Sequence, residues 1–233
     1  MDNRVDFIAE NYDKIIAQKG IKCQYEQAVV CQCITQDSGQ PDFNCPICHG
    51  SGFRYMPKQD IRVVVSSFNS KVQSESLGIR ESGTAYATPP SDIIMGFHDR
   101  LSFPDFVCKF SERLTFLPES KGVSPTTFKD LKQVIYLLKD DDMYQESMDF
   151  VVSDDRYHIK LLGEPPVTRV NMSILYMTTP SYLVVDLLHE LRATYSVIKS
   201  TEEHFKELPK QYQLHREDFR YGISDSVPDD TTV

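Results

Sequence analysis

Four cysteines within eighteen residues constrain this chain more than any other feature. They form two close pairs, Cys31-x-Cys33 and Cys45-x-x-Cys48, in the stretch CQCITQDSGQPDFNCPICHGSGF (residues 31–53). The polar segment between the pairs holds Asp37, Ser38, Gly39, Pro41 and Asp42, residue types that turn a backbone back on itself. Such a turn lets four thiolates converge, as tetrahedral Zn²⁺ requires in structural sites. The second pair continues as C-x-x-C-x-G-x-G, where Gly50 and Gly52 permit a tight knuckle behind the ligands. Cys31, Cys33, Cys45 and Cys48 are therefore the expected metal ligands, with structural Zn²⁺ as the cofactor and iron as the other ion that accepts four thiolates.

A lone C-x-x-C reads as a redox pair, but a second pair upstream points to a shared metal. Reduced buried cysteines are the plainer alternative. They would sit in an apolar run, whereas these are flanked by glycine and proline. A closed four-sulfur site leaves no open coordination position, so it implies scaffolding rather than hydrolysis. In a loop-rich segment the metal stands in for a core, contributing on the order of 10 kcal/mol of folding free energy. His49 and Cys23 rank behind the four as substitute ligands.

Composition matters next because it bounds what surrounds this module. With 233 residues, 40% hydrophobic and 25% charged, the chain has enough material for one sizeable core plus an appendage. No apolar run approaches the roughly 20 residues of a membrane helix, and MDNRVDFIAEN lacks a basic-then-apolar signal pattern. The expected compartment is a reducing cytosol, which favours thiolate–metal chemistry over disulfides and leaves the Asn171-Met172-Ser173 sequon without consequence. A net charge of -9 argues against a protein whose main task is gripping phosphate backbones. It suits a protein partner, or a passage through which nucleic acid slides without sticking.

The chain divides into four segments by pattern. Residues 1–20 read as an amphipathic helix, with Val5, Ile8, Tyr12, Ile15 and Ile16 at helical spacing, Asp2 and Asn3 as caps and Gly20 as terminator. Residues 21–58 form the zinc-ribbon-like module, entered by a strand at 27–30 and left by one at 52–55. Residues 59–200 are a β-rich body. Period-two stretches recur at 61–65, 77–88, 99–103, 107–116, 134–138, 170–177 and 182–188, and 149–152 with 157–162 make a hairpin whose inward side is Tyr157, Ile159 and Leu161. Residues 201–233 are an extended polar and acidic segment, broken at Leu208-Pro209. The fold class is mainly β (α+β): an antiparallel β-barrel or sandwich body with an amino-terminal helix and a small metal module.

No residue is expected to be catalytic. His189-Glu190 begins an H-E-x-x-H string, but position 193 is alanine. Gly50-Ser51-Gly52 lacks the spacing of a nucleophile elbow. His98-Asp99 reads as a turn with a capped backbone, Asp140-Asp141-Asp142 as an exposed acidic turn, and Cys108 as a small buried hydrophobe. Neither a Walker loop nor a dinucleotide-binding glycine run is present.

The amino-terminal helix, the CxC…CPxCxGxG knuckle with its aromatic strand, the Thr-Pro-Pro to Asp-Arg-Leu pattern over residues 88–101, and the string Leu208-Pro209-Lys210-Gln211…Leu214-His215-Arg216 together resemble neck proteins of tailed bacteriophages. That resemblance implies a structural virion protein, not an enzyme, made in the host cytoplasm and located in the virion neck. It implies a homo-oligomeric ring, sixfold or twelvefold, between portal and tail. Portal or adaptor proteins and tail-completion proteins are the implied partners, with packaged DNA passing through the lumen without sequence-specific binding and no membrane partner. The half-motif also resembles the zinc region of DnaJ-type chaperones, but that region carries several copies and its J-domain His-Pro-Asp is missing here. The alternative from another class is a zinc-ribbon nucleic-acid-binding or transcription-associated factor, for which Lys22, Arg54 and Lys58 are the local positive residues.

Overall fold

A computed structural model of the protein describes residues 9–35, 38–43, 45–67, 83–188, 191, 193–198 and 202–217. After helix α1 (Ala9–Lys19) the strands run, in order, β1 (Ile21–Glu26), β2 (Ala28–Val30), β3 (Phe53–Tyr55), β4 (Gln59–Ser67), β5 (Thr84–Thr88) and β6 (Arg100–Ser102). They continue as β7 (Cys108–Phe116), β8 (Gln133–Lys139), β9 (Asp142–Tyr144), β10 (Phe150–Val152), β11 (Ile159–Leu161) and β12 (Val170–Thr178). The last four are β13 (Ser181–Asp186), β14 (Ala193–Ile198), β15 (Glu202–Glu207) and β16 (Tyr212–Arg216). The chain forms two compact units, residues 1–103 with 181–233, and residues 104–180.

In the first unit six antiparallel strands close a barrel in the order β1-β4-β5-β16-β13-β6, with β6 returning to β1 through Tyr25↔Leu101. Alternation along each strand sends one set of side chains inward. Cys23, Tyr25, Val63, Ala87, Leu101, Val184, Tyr212 and Leu214 make a buried core, joined by Met95 and Phe103 from the flanking loops. Burying each of the larger of these side chains stabilises the barrel by about 1.5–3 kcal/mol. The Tyr212 hydroxyl, reaching this core, accepts a hydrogen bond from the Met95 N–H.

Helix α1 buries Ile16, while Ile15 is exposed, so its apolar stripe is narrower than the spacing suggested; Val5 and Ile8 lie outside the described residues. The Asp13 carboxylate accepts from the N–H and hydroxyl of Ser91. Gly20 ends the helix by donating its N–H to the Ile16 carbonyl at 2.7 Å. A Cβ on Gly20 would stand 2.3 Å from that oxygen, so a side chain at this position would force the backbone to shift.

The linear division drawn from the sequence needs two corrections. Residues 21–26, assigned to the metal module, are β1 of the barrel, pairing with β4 from Ile21↔Val63 to Tyr25↔Gln59. The segment from 201 onward is not merely a polar extension. It contains β15, paired with β14 from Ala193↔Glu207 to Ile198↔Glu202, and β16, which pairs with both β13 and β5 and closes the barrel. Tyr212 and Leu214 alternate with polar Gln213 and His215, and that short period two outweighs the polar average of the segment. Residues 225–233, read as an acidic tail, lie outside the described residues, as do 77–82 of the expected alternating stretch and His189-Glu190.

The second unit is a four-stranded antiparallel sheet, β7-β12-β8-β9, with the β10–β11 hairpin. Leu114, Phe116, Leu131, Leu137, Phe150, Ile159, Met172, Ile174 and Tyr176 form its core. The hairpin pairs as expected, Phe150↔Leu161 to Val152↔Ile159, but only Ile159 and Leu161 turn inward; Tyr157 precedes the strand and is exposed. Asp140, at φ 52°, and Asp141 are exposed in the turn joining β8 to β9. Cys108 is half-buried rather than buried, because it opens β7 beside exposed Val107.

Candidate metal centre

The metal module is a two-stranded ribbon, β2 and β3, whose registered pairs are Ala28↔Tyr55, Val29↔Arg54 and Val30↔Phe53. Strands of three residues hold little structure by themselves. The ladder continues one step further, because the Cys31 N–H donates to the Gly52 carbonyl at 2.8 Å. Beyond that step the chain opens into the cysteine loops.

All four expected ligands come together. The Sγ atoms of Cys31, Cys33, Cys45 and Cys48 lie within 4.8 Å of one another. The Cys31–Cys45 sulfurs are 3.8 Å apart and the Cys33–Cys48 sulfurs 3.4 Å. A tetrahedral ion with bonds of about 2.3 Å to each sulfur would set them about 3.8 Å apart, and the observed separations bracket that value, so the quartet is compatible with a metal site. Cys31, Cys45 and Cys48 are buried, with Cys33 packed against them at the margin, and among the described residues no larger apolar side chain joins this cluster.

The loops are shaped by backbone hydrogen bonds at each pair. Ile34 N–H donates to the Cys31 carbonyl at 3.2 Å, and His49 N–H to the Cys45 carbonyl at 2.9 Å. The Ser51 N–H and hydroxyl both donate to the Cys48 carbonyl, at 3.0 and 2.7 Å. Gly50 and Gly52 take φ of 81° and 77°, the left-handed backbone the C-x-x-C-x-G-x-G spacing implied. The N–H groups of Cys48 and Ile47 pull the Cys45 thiol down to about 7, which favours the thiolate a metal binds. Desolvation pushes the Cys33 thiol the other way, to about 12.

Neither substitute ligand joins the quartet. Cys23 sits in the barrel core opposite Ile61, where burial raises its thiol to about 12. His49 is exposed at φ 49° and contributes its backbone N–H to the knuckle.

His98-Asp99 is indeed a capped turn. The Asp99 carboxylate, 4% exposed, accepts from the Gly96 N–H at 2.7 Å and from the Tyr25 hydroxyl. Sequence reasoning missed its third donor, the N–H of Ala28 at the start of the ribbon, 2.7 Å away. It also missed the neighbours on either side: the His98 ring stacks on Phe53 at 4.2 Å, and the Arg100 guanidinium lies 3.5 Å from the centre of the Tyr55 ring. Burial lowers the His98 pKa, favouring a neutral ring in that stack. The spacing of the aromatic residues in Phe53-Arg54-Tyr55 was the one local hint, since it puts both rings on the same side of a strand.

Fold and site thus define a class: a closed antiparallel barrel carrying a four-cysteine ribbon of metal-binding geometry. No protein-family model matches the chain, and no curated protein matches its sequence.

Proposed function

We propose that the ribbon holds structural Zn²⁺ through Cys31, Cys33, Cys45 and Cys48, and that the protein is a non-enzymatic component of a tailed-phage neck, built into a ring between portal and tail. The observation that carries the metal assignment is the sulfur quartet itself, four thiols within 4.8 Å of one another and three of them buried. The neck reading is supported by the order of the sequence motifs, by the barrel as a rigid ring module, and by the net charge of -9, which lets DNA pass a lumen without adhering. Exposed Val30, Phe43 and Ile47 on the metal module supply apolar contact area of the kind a portal or tail protein would cover.

The nucleic-acid-factor alternative relied on Lys22, Arg54 and Lys58. Lys22 belongs to barrel strand β1, opposite Arg62, which leaves Arg54 on the paired ribbon strands and exposed Lys58 just after them. That is too little charge to grip a phosphate backbone.

Quantitative mass spectrometry of purified virions, referenced to the major capsid protein, tests the neck reading. A small closed-ring number, on the order of six or twelve copies, is the expected result. Absence from particles overturns it. Elemental analysis of the purified protein tests the metal: one zinc per chain is expected, and a coloured, iron-containing protein would reassign the ion.

A further inference from the structure

The two ribbon strands lead at one end into the cysteine cluster and are held along their length by three consecutive residues, two in the turn before β6 and one at its start. We infer that His98, Asp99 and Arg100 form a positioning clamp for the metal centre, coupling metal occupancy to the order of barrel strands β1 and β6. This inference rests on the metal reading above.

The clamp touches both strands at registered positions. Asp99 takes the N–H of Ala28 on β2, Arg100 covers the Tyr55 ring opposite Ala28, and His98 stacks on Phe53, whose partner Val30 precedes Cys31. Its barrel side is equally well defined. The His98 N–H donates to the Val184 carbonyl at 2.8 Å, and the Val184 N–H donates back to the Asp99 carbonyl at 2.9 Å. Arg100 pairs with Glu217 at 2.7 Å and Glu26 at 3.7 Å, and Glu217 in turn accepts from the Ser181 hydroxyl. His98 holds φ 67°, a backbone rare for a residue with a side chain, and its ring stacks on Phe53 and meets Phe97 edge to face.

Phe53 follows Gly52, and Gly52 accepts the N–H of Cys31, so the clamped strands lead without interruption into the ligand loops. Ordering those strands preorganises the cysteines. By linkage, any preference of the clamp for the metal-loaded ribbon must appear as a preference of the metal for the clamped barrel, commonly a factor of about 5 to 150.

The test uses full-length protein. His98→Gly removes the ring and relaxes the backbone, and Tyr55→Leu removes the guanidinium's platform from the ribbon side, away from the barrel core. Zinc affinity is read by competition with a chromophoric chelator, and amide exchange at Tyr25 and Leu101 is read with and without zinc. In wild-type protein chelation should accelerate exchange at both amides. Each variant should bind zinc about tenfold more weakly, and chelation should accelerate its barrel amides less than in wild type. Variants that bind zinc as tightly as wild type, or a wild-type barrel whose exchange ignores zinc, overturn the coupling while leaving the metal site intact. Wild-type protein that takes up no zinc overturns the metal reading and the clamp together.

Discussion

The barrel and the ribbon are parts of one compact unit, yet they solve the problem of staying folded in opposite ways. The barrel buries Tyr25, Val63, Leu101, Val184, Tyr212 and Leu214 against one another, so its stability is spread over many side chains. Among its described residues the ribbon's buried cluster is made of cysteines, so its stability is concentrated in four sulfurs and what they hold. Distributed stability erodes by degrees; concentrated stability fails at a single substitution.

That contrast predicts its largest effect at Cys45→Ser. Losing one of four ligands should remove most of the metal-linked folding free energy, on the order of 10 kcal/mol. Limited proteolysis should then cut within residues 31–53 while the barrel resists. Simultaneous collapse of the barrel would break the comparison. Leu101→Ala, at a fully buried barrel position, should cost about 2–5 kcal/mol, seen as a lower midpoint of chemical denaturation. Zinc content of the folded protein should remain one per chain.

Gly52→Ala sharpens the comparison inside the ribbon. Alanine at φ 77° costs about 1–2 kcal/mol, and its Cβ would meet Ile34 Cδ1 at 3.3 Å. Chelator competition should show zinc binding weakened by roughly tenfold, each factor of ten being about 1.4 kcal/mol.

The smallest effect belongs to a turn that closes without sulfur. Between β10 and β11, the Asp155 carboxylate accepts from the Ser153 hydroxyl and the Tyr157 N–H, and pairs with His158 at 2.7 Å. The Ser153 hydrogen bond, then the Tyr157 N–H, lower its pKa from 3.8 to about 2. A depressed carboxylate contributes stability that is complete above the ordinary value and is lost as pH falls from 3.8 toward 2. Asp155→Asn should lower stability slightly at neutral pH, where the wild-type carboxylate is charged, and flatten the acid limb so that the two profiles converge as pH falls toward 2. A mutant profile superimposable on wild type across the acid limb would remove this turn's role.

The same contrast explains what was legible in the sequence. The ligands were readable because thiolate spacing is local: two pairs, a turn and two glycines sit within one stretch. Most strands were readable because their apolar residues alternate, as in β4, β12 and β13. Strand β1 was hidden by its adjacency to the cysteines, and β16 by the polar residues around Tyr212 and Leu214. The expected single body hid the second unit, since period two marks a strand but does not say which sheet receives it. The clamp was least legible of all. Its contacts join residues about 45 to 70 positions apart, and nothing in His98-Asp99-Arg100 announces which distant strand will lie against it.

The strand order β5-β16-β13 also carries a temporal consequence. Tyr212 is translated more than a hundred residues after Ser102, which at about 5–20 residues per second is a delay of roughly 5 to 20 seconds. During that interval the nascent chain holds β5 with one edge bare, joined near its end by β13 once residue 186 has been made, and such edges template pairing with any neighbouring strand. Residues 104–180, by contrast, are all translated before β16 and contain every strand of their own sheet. A polypeptide arrested before β16 would therefore carry one finished unit and one open seam, an aggregation hazard that the last few strand residues remove.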